Sequence, residues 1–113
     1  MAVAIAYGTW AWSLPANTDE AELITPGAGV EYVGELTVCE QSGVDRTYRV
    51  ALSDNGTGVA ASTKHFIRYD VSLLANLSHV MAINIDSSIS VRVRSGTGSA
   101  VSFVLSGMKK TTT

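Results

Sequence analysis

Residues 34–71 read GELTVCEQSGVDRTYRVALSDNGTGVAASTKHFIRYDV, and the alternation inside this stretch decides the fold class. Leu36 and Val38 point one way, as do Tyr48, Val50 and Leu52, and then Ile67, Tyr69 and Val71. Glu35, Thr37, Arg49, Arg68 and Asp70 take the opposite side. Successive side chains on a strand alternate between faces, so a strict two-residue period predicts antiparallel strands with one wet and one buried face. The intervening Gln41-Ser42-Gly43 and Ser53-Asp54-Asn55-Gly56-Thr57-Gly58 supply turn chemistry and positive-φ positions.

The pattern continues outward in both directions. Leu23-Ile24-Thr25-Pro26-Gly27 reads as a short strand closed by a Pro-Gly turn. Downstream, Met81, Ile83 and Ile85 share one face, then Ile89, Val91 and Val93 with Arg92 and Arg94 outward, then Val101, Phe103 and Leu105. Ser72 to Asn76 reads equally as one helical turn or a crossover loop. Seven or eight short strands with turns at this spacing predict an all-β antiparallel sandwich or small barrel. At 113 residues the chain accommodates one core.

The first seventeen residues differ from the rest. MAVAIAYGTWAWSLPAN holds both tryptophans and no charged side chain. As an extended strand it places Trp10, Trp12 and Leu14 on one face before Pro15 halts regular pairing. Two readings stand side by side: a first strand with its tryptophans in the core, or an extended arm docking on a neighbour. Asp19, Glu20 and Glu22 follow as an acidic linker. The expected division is 1–20 as arm or first strand, 21–110 as the sandwich, and 111–113 as a flexible tail. The expected interface residues are Tyr7, Trp10, Trp12, Leu14 and Val104, the last facing away from Val101, Phe103 and Leu105.

Composition narrows the function classes. The chain is 46% hydrophobic, only 16% charged, and carries a net charge of −2. That is little polar surface for a free monomer, so a homo-oligomer is expected, with a trimer ahead of a dimer. Lys109-Lys110 is the single adjacent cationic pair, which argues against nucleic-acid binding. No apolar run approaches the ~20 residues of a membrane span, and the start lacks the basic opening of a secretory signal. The lone Cys39 cannot form an internal disulfide, which fits assembly in a reducing cytoplasm.

Reactive motifs are sparse. Asp54-Asn55-Gly56 opens like a calcium loop but lacks the later acidic ligands. His65 and His79 have no Cys or carboxylate at metal-ligand spacing. Arg68 and Asp70 read as cross-strand charge partners, and Gly96-Thr97-Gly98 has no following helix to make a phosphate loop. Neither an enzyme activity nor a cofactor or metal is expected.

Taken in order, LITPGAG at 23–29, ELTVCEQSG at 35–43, TYRVALS at 47–53, KHFIRYDVSLLAN at 64–76 and VSFVLSGM at 101–108 resemble small structural proteins of tailed bacteriophage virions. Those proteins carry a T-x-P-x-G opening, an L-T-V-C-N strand, an R-V-A strand and a K-H-[FY]-[IL]-x-Y-D strand in the same order. Glu40 departs from the pattern, standing where Asn follows the cysteine. The resemblance covers residues 23–108 and implies a jelly-roll-like sandwich in the virion, assembled in the bacterial host cytoplasm. The implied role is a capsid decoration (cement) protein that binds the capsid exterior, with the major capsid protein as its favoured partner. A tail, baseplate or fibre module is the alternative, and a carbohydrate-binding module using Tyr7, Trp10 and Trp12 is the second.

Overall fold

The computed structural model describes residues 2–113, and in it eight strands follow one another: β1 (Val3–Ser13), β2 (Ala21–Ile24), β3 (Val30–Glu40), β4 (Arg46–Ser53), β5 (Phe66–Leu73), β6 (Ser78–Ile85), β7 (Ser90–Ser95) and β8 (Val101–Thr112). Met1, the first residue of the expected arm, lies outside the described residues. A single 3₁₀ turn at Thr63–His65 leads into β5, and the segment after Leu73 is a turn through Asn76 rather than a helix.

The strands form two four-stranded antiparallel sheets. Sheet A has the order β1-β8-β3-β6 and sheet B the order β2-β7-β4-β5. First pairs with eighth, second with seventh, third with sixth and fourth with fifth. The chain is thus one long antiparallel hairpin wrapped upon itself, with β8·β3 and β7·β4 joining successive turns of the wrap. This is the jelly-roll arrangement of an antiparallel sandwich.

The core lies where the alternation puts it. Leu36 and Val38 on β3 stand opposite Leu105 and Phe103 on β8, and Met81 and Ile83 on β6 complete the inner face of sheet A. Tyr48, Val50, Val91 and Val93 close it from sheet B, and all of these residues are buried. Burying a large apolar side chain contributes about 1.5–3 kcal/mol, so this set supplies most of the driving force.

Two departures from simple alternation have identifiable causes. Along β5 the register shifts between Tyr48 and Val50 and again between Val50 and Ala51, each time with an extra residue on β5. Asp70 takes a left-handed φ of 49°. A bulge flips the side-chain parity of its strand, so Tyr69 and Ile67, expected inside, are exposed. Tyr69 instead lies under the Arg49 guanidinium, 3.9 Å from the ring centre, and edge-on to Phe66.

The second departure is in β1, where Trp10 is an extra residue between the pairs Thr9–Ser106 and Ala11–Leu105. Trp10 and Ala11 therefore both turn inward, and Trp12 turns outward.

The N-terminal segment is a paired strand of sheet A rather than a detached arm. Its ladder with β8 runs from Val3 opposite Thr112 to Ser13 opposite Phe103. Residues 111–113, expected as a tail, are held in the same ladder: Ala2 and Thr113 exchange backbone hydrogen bonds, and the Thr112 N–H donates to the Gly29 carbonyl. Because β1, β3 and β8 span 11, 11 and 12 residues, they run past the core as a three-stranded ribbon. The molecule is accordingly elongated, 49 × 27 × 20 Å.

Candidate interaction surface

The outer face of sheet A is built by the residues that alternate with the core. On β1 these are Val3, Ile5 and Tyr7, and past the bulge Trp12. Across the ladder stand Met108 and Val104 on β8, then Val33 and Thr37 on β3, then Val80 and Ala82 on β6. Tyr7 is 79% exposed and Trp12 69%, and Val3, Ile5, Leu14, Val33 and Val80 are exposed as well. Glu31, Glu35 and Lys110 are the charged side chains in this register. A free antiparallel sheet face normally points mostly polar residues outward, whereas here large apolar side chains are interspersed among Glu31, Glu35, Lys110, Thr9, Ser106 and Asn84.

At one end of the face Trp12, Ser13, Leu14, Gln41, Ser102, Phe103 and Val104 line a shallow depression of about 310 Å³. The Gln41 amide donates to Ser102 Oγ at 2.9 Å beside the exposed indole. Three of the five expected interface residues, Trp12, Leu14 and Val104, are therefore brought together, with Val104 paired directly to Trp12, while Tyr7 stands farther along the same face opposite Met108. Trp10 is the exception. Its ring lies inside, 6.0 Å from that of Tyr32, and Lys109 Nζ sits over it.

The sequence reading passed over Val3, Ile5, Val33, Val80 and Met108. The signal was present in the odd positions of AVAIAYG and in Val80 standing opposite Met81, but which strands lie side by side is invisible to local periodicity.

The outer face of sheet B is of the opposite character. Arg49 makes a two-point bond to Asp70, at 2.6 and 3.0 Å, and holds that carboxyl below its usual range. Arg92, expected outward on a wet face, is only 8% exposed. It lies beneath Glu20 of the β1–β2 linker, at 2.5 Å, and Glu22 of β2, at 3.5 Å. The same two carboxylates accept backbone N–H groups from Ala61 and Gly58, at 3.0 Å each. Glu20 in the β1–β2 linker and Glu22 on β2 thus tie the 54–62 loop to the domain, although nearly all of that loop's side chains are exposed.

The histidines and carboxylates singled out in the sequence are engaged by neighbouring groups of the fold. His65 Nε2 meets Asp54 at 2.7 Å, but its Nδ1 accepts the backbone N–H of Ser62, and the Ser62 hydroxyl faces the Asn55 amide. No serine hydroxyl is presented to the imidazole, so the trio caps the 3₁₀ turn rather than activating a nucleophile. The hydrogen bond from His65 keeps the Asp54 carboxyl below its usual range.

His79 is a strand residue of β6, and its Nδ1 bonds the Tyr48 hydroxyl at 2.8 Å. This contact joins the two sheets, and burial pushes the phenol up.

Glu40 is the most strongly held carboxylate. Burial opposes its ionisation, but the Ser42 hydroxyl and the backbone N–H groups of Asn76, Ser42 and Gly43 all donate to it and hold it at about 2. Glu40 thus closes the β3–β4 turn on the β5–β6 turn.

Among the described residues no group of three His, Cys, Asp or Glu side chains is placed to hold a metal ion. Compared with known proteins, the chain matches no protein-family model, and no curated protein is similar to it in sequence.

Proposed function

We propose that the chain is a virion structural protein, a capsid decoration subunit that docks on the capsid exterior through the outer face of sheet A and stabilises contacts between capsomers. The observation that carries this reading is the gathering of Val3, Ile5, Tyr7, Trp12, Val33 and Val80, all exposed, on one sheet face. Contiguous apolar surface of this kind marks an interaction site. A four-stranded face of this length measures roughly 19 by 36 Å from standard strand spacing and rise. Its area of ~700 Å² approaches the ~800 Å² that each partner contributes to a standard interface.

The partner follows from two further features. The order of motifs, which resembles that of tailed-phage virion proteins, supports a partner within the virion. The ion-paired outer face of sheet B suits the side turned to solvent. In this reading the subunit is made in the host cytoplasm, acts as a homo-oligomer, and contributes binding surface rather than catalysis.

Cryo-EM of intact particles containing the protein tests the location. Density on the capsid exterior with sheet A against the lattice is expected, whereas density in the tail selects the tail or fibre alternative. Co-sedimentation with particles tests the face: Trp12→Ala should weaken binding tenfold or more, as interface aromatics worth ~2 kcal/mol do. Unchanged occupancy would remove the outer face from the mechanism.

A carbohydrate-binding role has one specific observation in its favour, the exposed Trp12 ring beside the Gln41 amide and Ser102 hydroxyl. A glycan array separates it, since decoration alone leaves every glycan unbound.

A further inference from the structure

We infer that β1 is a self-pairing edge: two copies of the chain join antiparallel along it about a two-fold axis at Ala6, making sheet A continuous through eight strands. This goes beyond the docking role above and stands whatever the outer face meets.

The argument begins with the four open edges. An unpaired strand edge templates further pairing, and proteins protect such edges with short strands, bulges, prolines or charges. Sheet B is protected at both ends: β2 has four residues and carries Glu22, and β5 is broken by two bulges and the left-handed Asp70. In sheet A, β6 is the shorter edge, with eight residues against the eleven of β1. β1 is the end strand of sheet A with 11 residues, no proline, no charge, and no irregularity from Val3 to Thr9. Val3 to Ile5 of that stretch run beyond the end of β6, where only β8 and β3 continue beside them.

The backbone specifies the register. Ala2 and Thr113 exchange both their hydrogen bonds, so by antiparallel alternation Ala4, Ala6 and Gly8 also direct their backbone groups to β8. Val3, Ile5, Tyr7 and Thr9 therefore direct theirs to the free edge. Centring the two-fold at Ala6 opposes Val3 to Thr9 and Ile5 to Tyr7, so that all four edge residues find hydrogen-bonding partners. The outer face then gains two pairs of aromatic against β-branched side chains, a favoured cross-strand combination. The inner face carries Ala4 against Gly8 and Ala6 against Ala6, which are too small to clash. A two-fold contact of identical strands closes on itself, so the product is a dimer and not a fibre.

Two experiments test this. In sedimentation at tens of micromolar the protein should be a dimer and Ile5→Pro a monomer of unchanged fold by circular dichroism. The Ile5 N–H faces the free edge, so proline there removes no bond to β8. A monomeric wild type, a dimeric Ile5→Pro, or open-ended assemblies from β1 pairing with β6 would each overturn the inference. The second experiment reads register directly and does not depend on the proline variant folding. Ala6 should lie ~4.5 Å from its own counterpart between Cα atoms, within disulfide reach. In a Cys39→Ser background, Ala6→Cys should cross-link almost completely on oxidation, while Ala4→Cys and Gly8→Cys, opposite each other and not themselves, should not. Equal cross-linking at all three positions would overturn the two-fold at Ala6.

Discussion

The indole N–H of Trp10 donates to the carbonyl oxygen of Gly107 at 3.0 Å, and a row of glycines makes the space for it. Gly8, Gly107 and Gly34 stand side by side across β1, β8 and β3. A Cβ on Gly107 would lie 2.5 Å from the Gly34 Cα, and its φ of 134° is one that side-chain-bearing residues rarely adopt. Backbone and indole lock together here.

Gly107→Ala should therefore destabilise by at least ~2 kcal/mol through combined strain and overlap. Trp10→Phe keeps most of the packing on Tyr32 but loses the hydrogen bond, and should cost about 1 kcal/mol. Chemical denaturation of both variants checks the order, and a milder effect for Gly107→Ala would contradict it.

Deleting residues 1–13 removes β1, takes the buried Ala11 out of the core and bares β8 as a new edge. The truncated chain should be insoluble or unfolded. Trp12→Ser, on the outer face, should stay within about 0.5 kcal/mol of wild type, as exposed substitutions do. Thermal melts of the soluble fractions distinguish the two cases.

Glu40 sets the acid limb of stability. Its carboxyl is held at about 2 in the folded protein, against about 4.5 in an unfolded chain. A depressed folded-state value means the unfolded state binds the proton first as pH falls. The contribution is thus complete above roughly pH 4.5 and drains away as the pH approaches about 2. Glu40→Gln should lower the melting temperature at neutral pH and flatten the decline between these limits. An unchanged acid limb would mean that other carboxylates govern it.

Tyr48 and His79 connect the sheets through their 2.8 Å hydrogen bond. Tyr48→Phe should cost about 1 kcal/mol, and Tyr48→Ala about 3–5 kcal/mol, because the ring also fills the core against Phe103. A double-mutant cycle of Tyr48→Phe with His79→Leu should show a coupling of about 0.5–1.5 kcal/mol; additive effects would remove the inter-sheet role.

Much of the interior was legible in the chain because β3, β6, β7 and β8 keep an unbroken two-residue period. Met81, Ile83 and Ile85 could be assigned to the core from spacing alone, and so could Phe103 and Leu105. β5 and β1 were misread for a shared reason. A bulge reverses which way the following side chains point while leaving the apparent alternation intact, so Tyr69 seemed inward and Trp10 seemed to share the face of Trp12. The burial of Arg92 was equally hidden, since the carboxylates that cover it come from Glu20 and Glu22, some seventy positions earlier.

By itself, then, the sequence determined the all-β class, the turn positions and most of the buried set. Those follow from side-chain alternation and turn chemistry, which act over two to four residues. The tertiary structure alone decided that β1 lies against β8, that the left-handed Asp70 and the bulged Trp10 invert their strands, and that apolar residues from four separate strands merge into one face. Strand order is set by hydrogen bonds between residues as far apart as Val3 and Thr112, and no local pattern encodes which edge a strand will choose.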